Sequence, residues 1–225
     1  MLRTENRELT TPMTPLLLGH RGARASRHIP ENSLASFELC LRHGCDGFEF
    51  DVRLSADGSA VICHDASIGG MKIEKTDSRR LLLPTLEDVL RQFSQRAFLD
   101  IELKVSGLER HALAALHHHP PQEGFVVSSF LPEVLAAVHA FDATIPLGFL
   151  CETQGQLREW RESPAQSVIS QADLTTRELV EQVHAAGKRI MVWTVNCAER
   201  MREFKEWGAD AIISDETELL VRSLR

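Results

Sequence analysis

The sequence predicts an α/β fold: one (β/α)8 TIM barrel, with a short extra strand and loop after the second barrel strand. Three observations predict it. Short apolar or β-branched runs alternate with helix-period patterns from residue 16 almost to the end, the order that builds a parallel sheet. Eight such units fit into 225 residues, slightly under the ~250 typical of this barrel. No linker, composition shift or low-complexity segment divides them. Residues 1–225 therefore read as a single domain, with a flexible N-terminal segment over 1–15. A doubly wound open sheet is the alternative topology.

Each element has its own signal. "LLLGH" (16–20) reads as the first strand. The helix after it carries Leu34, Phe37 and Leu41 at helical spacing, with Asn32 or Ser33 to cap its start and Gly44 its end. "GFEFDV" (47–52) is the second strand; a turn at "ADG" leads to the extra strand "AVICH" (60–64). Pro84 and a Thr85 cap open the next helix, and "AFLDIELKV" (97–105) is the third barrel strand. The helix over 107–119 is stopped by Pro120 and Pro121. "FVVSSF" (125–130), "PLGFLCE" (146–152), "SVIS" (167–170), "RIMVWTV" (189–195) and "AIIS" (211–214) complete the strands. Thr175 and Glu178 have capping-box spacing for the helix ended by Gly187, and Asn196 caps the one closed by Gly208.

Composition narrows the functional classes. The chain is 43% hydrophobic with a net charge of −7 and shows no basic run, which argues against a surface-wide grip on nucleic acid or anionic membrane. Five cysteines form neither a CxxC pair nor a metal-spaced cluster, as expected of free thiols in a reducing compartment. The opening "MLRTENRELTTPMTP" has no secretory h-region, and no apolar stretch approaches the ~20 residues of a spanning helix. The expected location is cytoplasmic; oligomeric state is left open.

The polar residues that interrupt the strands fall at their carboxyl ends, where barrels of this type carry their active sites. His20 and Arg21 end the first strand, Glu49 and Asp51 the second, and His64 and Asp65 follow the extra strand. Glu102 and Lys104 end the third, Ser129 the fourth and Trp193 the seventh. Residues two apart on a strand share a face. Glu49, Asp51 and Glu102 should thus converge, and three carboxylates in one pocket call for a compensating charge. A divalent cation supplies it, and oxygen ligands without cysteine favour Mg2+ or Ca2+. Arg21 and Lys104 can clamp phosphate oxygens while His20 and His64 handle protons. Taken singly, the Glu–x–Asp pair could be structural and Lys104 could merely neutralise Glu102. Asp65 could orient His64 or cap a turn. The run His117–His119 ends a helix and reads as solvated, and Trp193 reads as a substrate platform in preference to core filling.

In order and spacing, "GHRG" (19–22), "PEN" (30–32), "EFDV" (49–52), "HD" (64–65), "IELK" (101–104), "SSF" (128–130), "VWTVN" (192–196) and "GADAIISD" (208–215) resemble the glycerophosphodiester phosphodiesterases. The resemblance spans about residues 16 to 215, and the combined pattern is specific where each piece alone is weak. It implies a metal-dependent TIM barrel that hydrolyses glycerophosphodiesters to glycerol 3-phosphate and an alcohol. By motif it makes His20 and His64 the acid–base pair, and Glu49, Asp51 and Glu102 the ligands of Mg2+ or Ca2+. Arg21 and Lys104 become phosphate contacts, and Trp193 packs on the glycerol side. The segment 66–83 departs from the family, which usually continues with a basic, threonine-rich stretch, and it should overhang the mouth. Its Ile68, Met71, Ile73 and Leu81 to Leu83 keep open a second substrate, a lysophospholipid. A catalytically silent barrel that binds a phosphometabolite is the non-enzymatic alternative.

Overall fold

The computed structural model describes residues 14–225. The flexible segment expected over 1–15 lies, for residues 1–13, outside them. Eight parallel strands form a closed ring: β1 (Leu16–His20), β2 (Gly47–Leu54), β3 (Phe98–Leu103), β4 (Phe125–Ser129), β5 (Leu147–Cys151), β6 (Ser167–Gln171), β7 (Arg189–Trp193) and β8 (Ala211–Ser214). Each pairs with the next, and β1 pairs with both β8 and β2, which removes the free edges that an open sheet would leave. The extra strand, Ala60–Ile62, runs antiparallel to the end of β2 and stays outside the ring. Among the described residues, eight helices surround the barrel: α1 (Leu34–Arg42), α2 (Leu86–Phe93), α3 (Glu109–His118), α4 (Pro132–Phe141), α5 (Gln154–Glu159), α6 (Arg177–Ala185), α7 (Ala198–Trp207) and α8 (Thr217–Leu224).

Strand alternation sorts side chains into two cores. Phe48, Phe50 and Val52 point outward and are fully buried against the helices, where Phe48 stacks on Phe37 with ring centres 4.3 Å apart and meets Phe93 edge-on. Truncating such a ring to Ala costs about 3–5 kcal/mol. Their inward neighbours, Glu49 and Asp51, enter the barrel. Beneath them Leu18, Phe98, Val126, Leu150, Ile169, Met191 and Ile213 form the inner apolar plug. The barrel interior is thus apolar through its middle, and its buried carboxylates gather at the carboxyl-terminal mouth.

Most helix starts follow the sequence signals, with two corrections. Ser33 caps α1 by accepting from the Ser36 N–H, and Thr85 and Asp88 form a capping box on α2. The cap of α6 is Thr176, not Thr175. Thr175 closes a 3-10 turn instead, its hydroxyl donating to the Gln171 carbonyl at 2.9 Å. Asn196 does not cap α7, which starts after Cys197 without a side-chain cap. Asn196 is drawn off by Asp215, as described below.

The segment 66–83 folds into a two-stranded hairpin (Ser67–Ile68 with Met71–Lys72), a 3-10 turn and a four-residue helix. Ile73 and Leu81 are buried against Val61 and Cys63, beneath the extra strand. None of residues 66–83 lines the mouth cavity. Of its apolar residues, Ile73, Leu81, Met71 and Leu83 are used for packing, whereas Ile68 and Leu82 are exposed and lie outside the cavity lining.

Candidate active site

The first turn of the site is built by "GHRG". Gly22 takes φ +81, and a Cβ there would meet Ser36 at 2.5 Å, so only glycine lets the loop press onto α1. Arg21 itself sits at φ +53, a region unfavourable for a side-chain-bearing residue. That turn aims the Arg21 N–H at Glu49 Oε2, 3.0 Å away. Asn32, also at φ +53, donates its amide to Asp51 Oδ2 at 2.7 Å and accepts from the Asp51 N–H. Two unfavourable backbone conformations therefore serve two buried carboxylates.

Register brings the acidic residues together. Asp51 lies opposite Glu102 across the β2–β3 ladder, and Glu49 opposite Asp100. Glu49, Asp51 and Glu102 are all buried and offer oxygens within 4.8 Å of one another. Lys104 Nζ lies 2.7 Å from Glu102 Oε1 and 3.2 Å from Asp51 Oδ1, and Arg21 Nε lies 3.3 Å from Asp51 Oδ2. Two cations do not satisfy three carboxylates. Among the described residues, Glu49 Oε1, Asp51 Oδ1, Asp100 Oδ2 and Arg21 Nε are buried without a hydrogen-bond partner.

The titration behaviour follows. Burial, reinforced by the charges of Asp51, Glu102 and Asp100, holds the Glu49 carboxyl well above the usual range. Burial and the Asp51 charge push Glu102 to about 8 in spite of Lys104. Burial also raises Asp100 to about 7, against the hydrogen bond that Ser128 Oγ donates to it at 2.5 Å. Burial works in the same direction on Asp51, but the Lys104 and Arg21 charges and the Asn32 amide outweigh it and keep its carboxyl low. Without a further cation, the cluster retains protons that a cation would displace. An all-oxygen trio with orphaned acceptors fits a hard divalent ion.

Both histidines reach this cavity, and each is oriented by a carboxylate. His20 Nδ1 lies 2.7 Å from Asp215 Oδ1, and His64 Nδ1 lies 2.7 Å from Asp65 Oδ1. Burial raises the Asp215 carboxyl, yet its bonds to His20 and Asn196 and the Arg24 charge bring it down to about 2. Asn196 donates to Asp215 Oδ2 at 2.7 Å and accepts from the Asp215 N–H. Burial also lowers the His20 imidazole, more than the Asp215 bond and charge raise it. An ionised Asp215 fixes the proton of neutral His20 on Nδ1 and leaves Nε2 free to accept. Of the two readings of Asp65, the structure shows the one that orients His64.

The mouth cavity, about 390 Å3, is lined by His20, Arg21, Glu49, His64, Glu102, Lys104 and Trp193, together with Asp100, Phe130, Leu150, Glu152 and Ile213. Asp51 lies against its wall. Trp193 is held by its indole N–H, which donates to the Ile169 carbonyl at 3.2 Å, and meets Phe130 edge-on at 5.6 Å. Ser129 is structural, donating to the Leu103 carbonyl. The histidine run stays away from the mouth: His118 and His119 form a surface group with Glu87. Sequence reasoning passed over Asp100, Glu152, Asp215, Glu31 and Arg24. Asp100 shared the alternation that exposed Glu102, so that signal was present. Glu31, which bonds both Arg21 and Arg24, sits in a loop without periodicity.

Fold and site define the class: a (β/α)8 barrel enzyme whose chemistry gathers at the carboxyl ends of its strands. The sequence profile of the glycerophosphoryl diester phosphodiesterase family matches residues 20–89 and 70–219. A glycerophosphodiester phosphodiesterase of Caldanaerobacter subterraneus is 28% identical over 95% of this chain and 99% of its own length. A phosphodiesterase of Oleispira antarctica, solved with its product sn-glycerol-3-phosphate, is 26% identical with a TM-score of 0.81, covering 93% of this chain and 96% of that one. A glycerophosphodiester phosphodiesterase of Parabacteroides distasonis shares the fold at a TM-score of 0.84 and 23% identity, over 94% and 97% of the two chains. The chain belongs to the glycerophosphoryl diester phosphodiesterase family, a family of phosphoric diester hydrolases. Among the described residues, no helix is long and apolar enough to cross a membrane.

Proposed function

We propose that the protein hydrolyses glycerophosphodiesters to glycerol 3-phosphate and an alcohol, with Glu49, Asp51 and Glu102 holding a divalent cation, Mg2+ or Ca2+. The observation that carries this reading is the pairing of that buried carboxylate trio, with unpaired oxygens on Glu49 and Asp51, with two imidazoles around one cavity. The relative solved with sn-glycerol-3-phosphate supports the substrate class. When bound, such a cation supplies Lewis acidity and positive charge at the phosphoryl oxygens. Arg21 and Lys104 add charge from the protein side and fix the phosphodiester in the mouth.

The histidines then divide the proton work. Neutral His20, with Nδ1–H committed to Asp215, takes the proton of the glycerol 2-hydroxyl on Nε2 as that oxygen attacks phosphorus. Intramolecular attack has a large effective-concentration advantage over free water. His64, half-exposed at the rim, gives a proton to the departing alcohol oxygen. A water molecule then opens the five-membered cyclic phosphate with the roles reversed. Trp193 packs on the C–H face of the glycerol, 6.3 Å from the His20 ring. Four of the five free cysteines are buried, which supports a reducing, cytoplasmic setting.

The test is release of glycerol 3-phosphate from glycerophosphocholine or glycerophosphoethanolamine by the purified chain, with Mg2+, with Ca2+ and with excess chelator. Turnover restored by a cation and lost on chelation is expected. Full turnover after verified removal of all metal would sink the metal-dependent reading.

A further inference from the structure

The mouth cavity is chemically two-sided. Strands β1 to β3 contribute most of its charges, and the two cations among them are matched within the protein: Arg21 with Glu31 and Asp51, Lys104 with Asp51 and Glu102. The other side is apolar, with Phe130, Leu150 and Trp193 from β4, β5 and β7. One carboxylate lies on that side: Glu152, which follows β5, half a ring away from β1. Its side chain makes no hydrogen bond or ion pair among the described residues. The side chain is exposed, while the backbone that carries it is held in place. The Glu152 N–H donates to Gln156 Oε1 at 3.0 Å, and the same oxygen accepts from the Thr153 N–H and hydroxyl in the capping box of α5.

We infer that Glu152 is a specificity-determining residue that accepts a hydrogen bond from the free C1 hydroxyl of the glycerol unit, so that the site selects deacylated diesters over their C1-acylated counterparts. This rests on the proposed function and deepens it. With His20 beside Trp193, the 2-hydroxyl lies on the His20 side, and the rest of the glycerol extends along the aromatic wall towards β5. A flat apolar wall with one acceptor suits a polyol, whose C–H face packs while a hydroxyl donates. An ester at C1 has no proton to donate. It would leave the carboxylate partly desolvated beside an acyl chain, which discriminates against that substrate. No residue of 66–83 lines the cavity to offset that penalty.

The experiment compares three diesters with the same leaving alcohol: the parent, its 1-deoxy analogue with the C2 hydroxyl retained, and the C1-acyl form. Each is assayed for kcat/KM with the wild type, Glu152→Ala and Glu152→Gln in the presence of Mg2+ or Ca2+. The wild type should lose about tenfold or more on removal of the C1 hydroxyl, the value of one charge-assisted hydrogen bond. Glu152→Ala should lose a similar factor on the parent and be indifferent to that hydroxyl. Glu152→Gln, which keeps an acceptor, should retain part of the discrimination. Discrimination against the acyl form should narrow in Glu152→Ala. Equal losses on all three diesters would mean a merely structural role and overturn the inference. So would a loss that appears only when the leaving alcohol carries an ammonium group, since that assigns Glu152 to the other end of the substrate. Failure of the wild type to cleave the parent with either cation overturns the proposed function itself, and this inference with it.

Discussion

The two mouths of the barrel treat buried polarity in opposite ways. At the amino-terminal mouth two acidic side chains tie down strands. Asp46 accepts from the Leu17 N–H at 2.8 Å and pairs with Arg225. Asp210 accepts from the Ile190 N–H at 2.7 Å and binds His184, and Gln166 Oε1 accepts from the Leu147 N–H. At the carboxyl-terminal mouth lie all four of the orphaned buried side-chain atoms found among the described residues. Saturated hydrogen bonding marks the end that holds the ring together; unsatisfied polar atoms, three acceptors and one donor, mark the end kept ready for ligands.

The largest expected effect separates the mouths most cleanly. Glu49→Gln and Glu102→Gln should lower kcat/KM by about a thousandfold or more, since an oxyanion-type contact alone is worth 10²–10³. Because both carboxyls are destabilised by burial, these neutral replacements should hold or raise the melting temperature of the chelated protein. A fall in both activity and stability would erase the proposed distinction between the two ends.

Next in size is the positioning of His20. Asp215→Asn removes the anion that fixes its proton on Nδ1, and a loss of about a hundredfold in kcat is expected, with the acid-side limb that reports His20 as the base displaced to lower pH. An unchanged pH–rate profile would show that Asp215 only braces the loop.

A thermal effect comes third. Glu102, at about 8, and Asp100, at about 7, have native pKa values raised above their unfolded ones. Their contribution is complete below the unfolded range near 4 and is lost as pH rises through those native values. Each carboxylate that stays protonated only in the folded state costs about 1.4 kcal/mol per pH unit, or about 3–5 °C in a chain of this size. The chelated protein should therefore melt lower at pH 8.5 than at pH 6.5, and saturating Mg2+ or Ca2+ should flatten the slope. His20, whose pKa is lowered, acts in the opposite sense only at the acid end of this window. A melting temperature that rises with pH in chelator would contradict the burial of these groups.

The smallest effect belongs to the opposite mouth. Asp46→Ala or Asp210→Ala should destabilise by about 1–2 kcal/mol, the usual result of leaving a buried N–H unpaired, with turnover at low temperature unchanged. Calorimetry and rate measurements on the same samples would check both halves.

Much of this contrast was legible in the sequence. Glu49, Asp51, Glu102 and Lys104 showed themselves because a charge every second residue in an apolar strand is an anomaly that local pattern reveals. His20, Arg21, His64 and Trp193 stood at strand ends and were found there. Asp215 ends the stretch "GADAIISD", yet its role is hidden there, because its partner is 195 residues away and no local pattern encodes such a contact. Asn196 was misread for the same reason: its capping propensity was real, but the stronger acceptor lay across the ring. Thr175 lost the cap to Thr176 because one 3-10 turn shifts a helix start by a residue, finer than spacing alone can fix. The packing of 66–83 depended on a cluster under the extra strand, which composition cannot place.

The bond between His20 and Asp215 joins the first strand of the ring to the residue after the last. On the role proposed for His20, catalytic competence therefore depends on completeness. A nascent or clipped polypeptide without β8 carries the imidazole without the carboxylate that sets its tautomer, however well its other strands have assembled. Split after Gly208, the two fragments should be inert apart and regain hydrolysis only when mixed. In such a molecule enzymatic turnover doubles as a readout of full-length synthesis and correct closure, because the chemistry is distributed between the two strands that meet last.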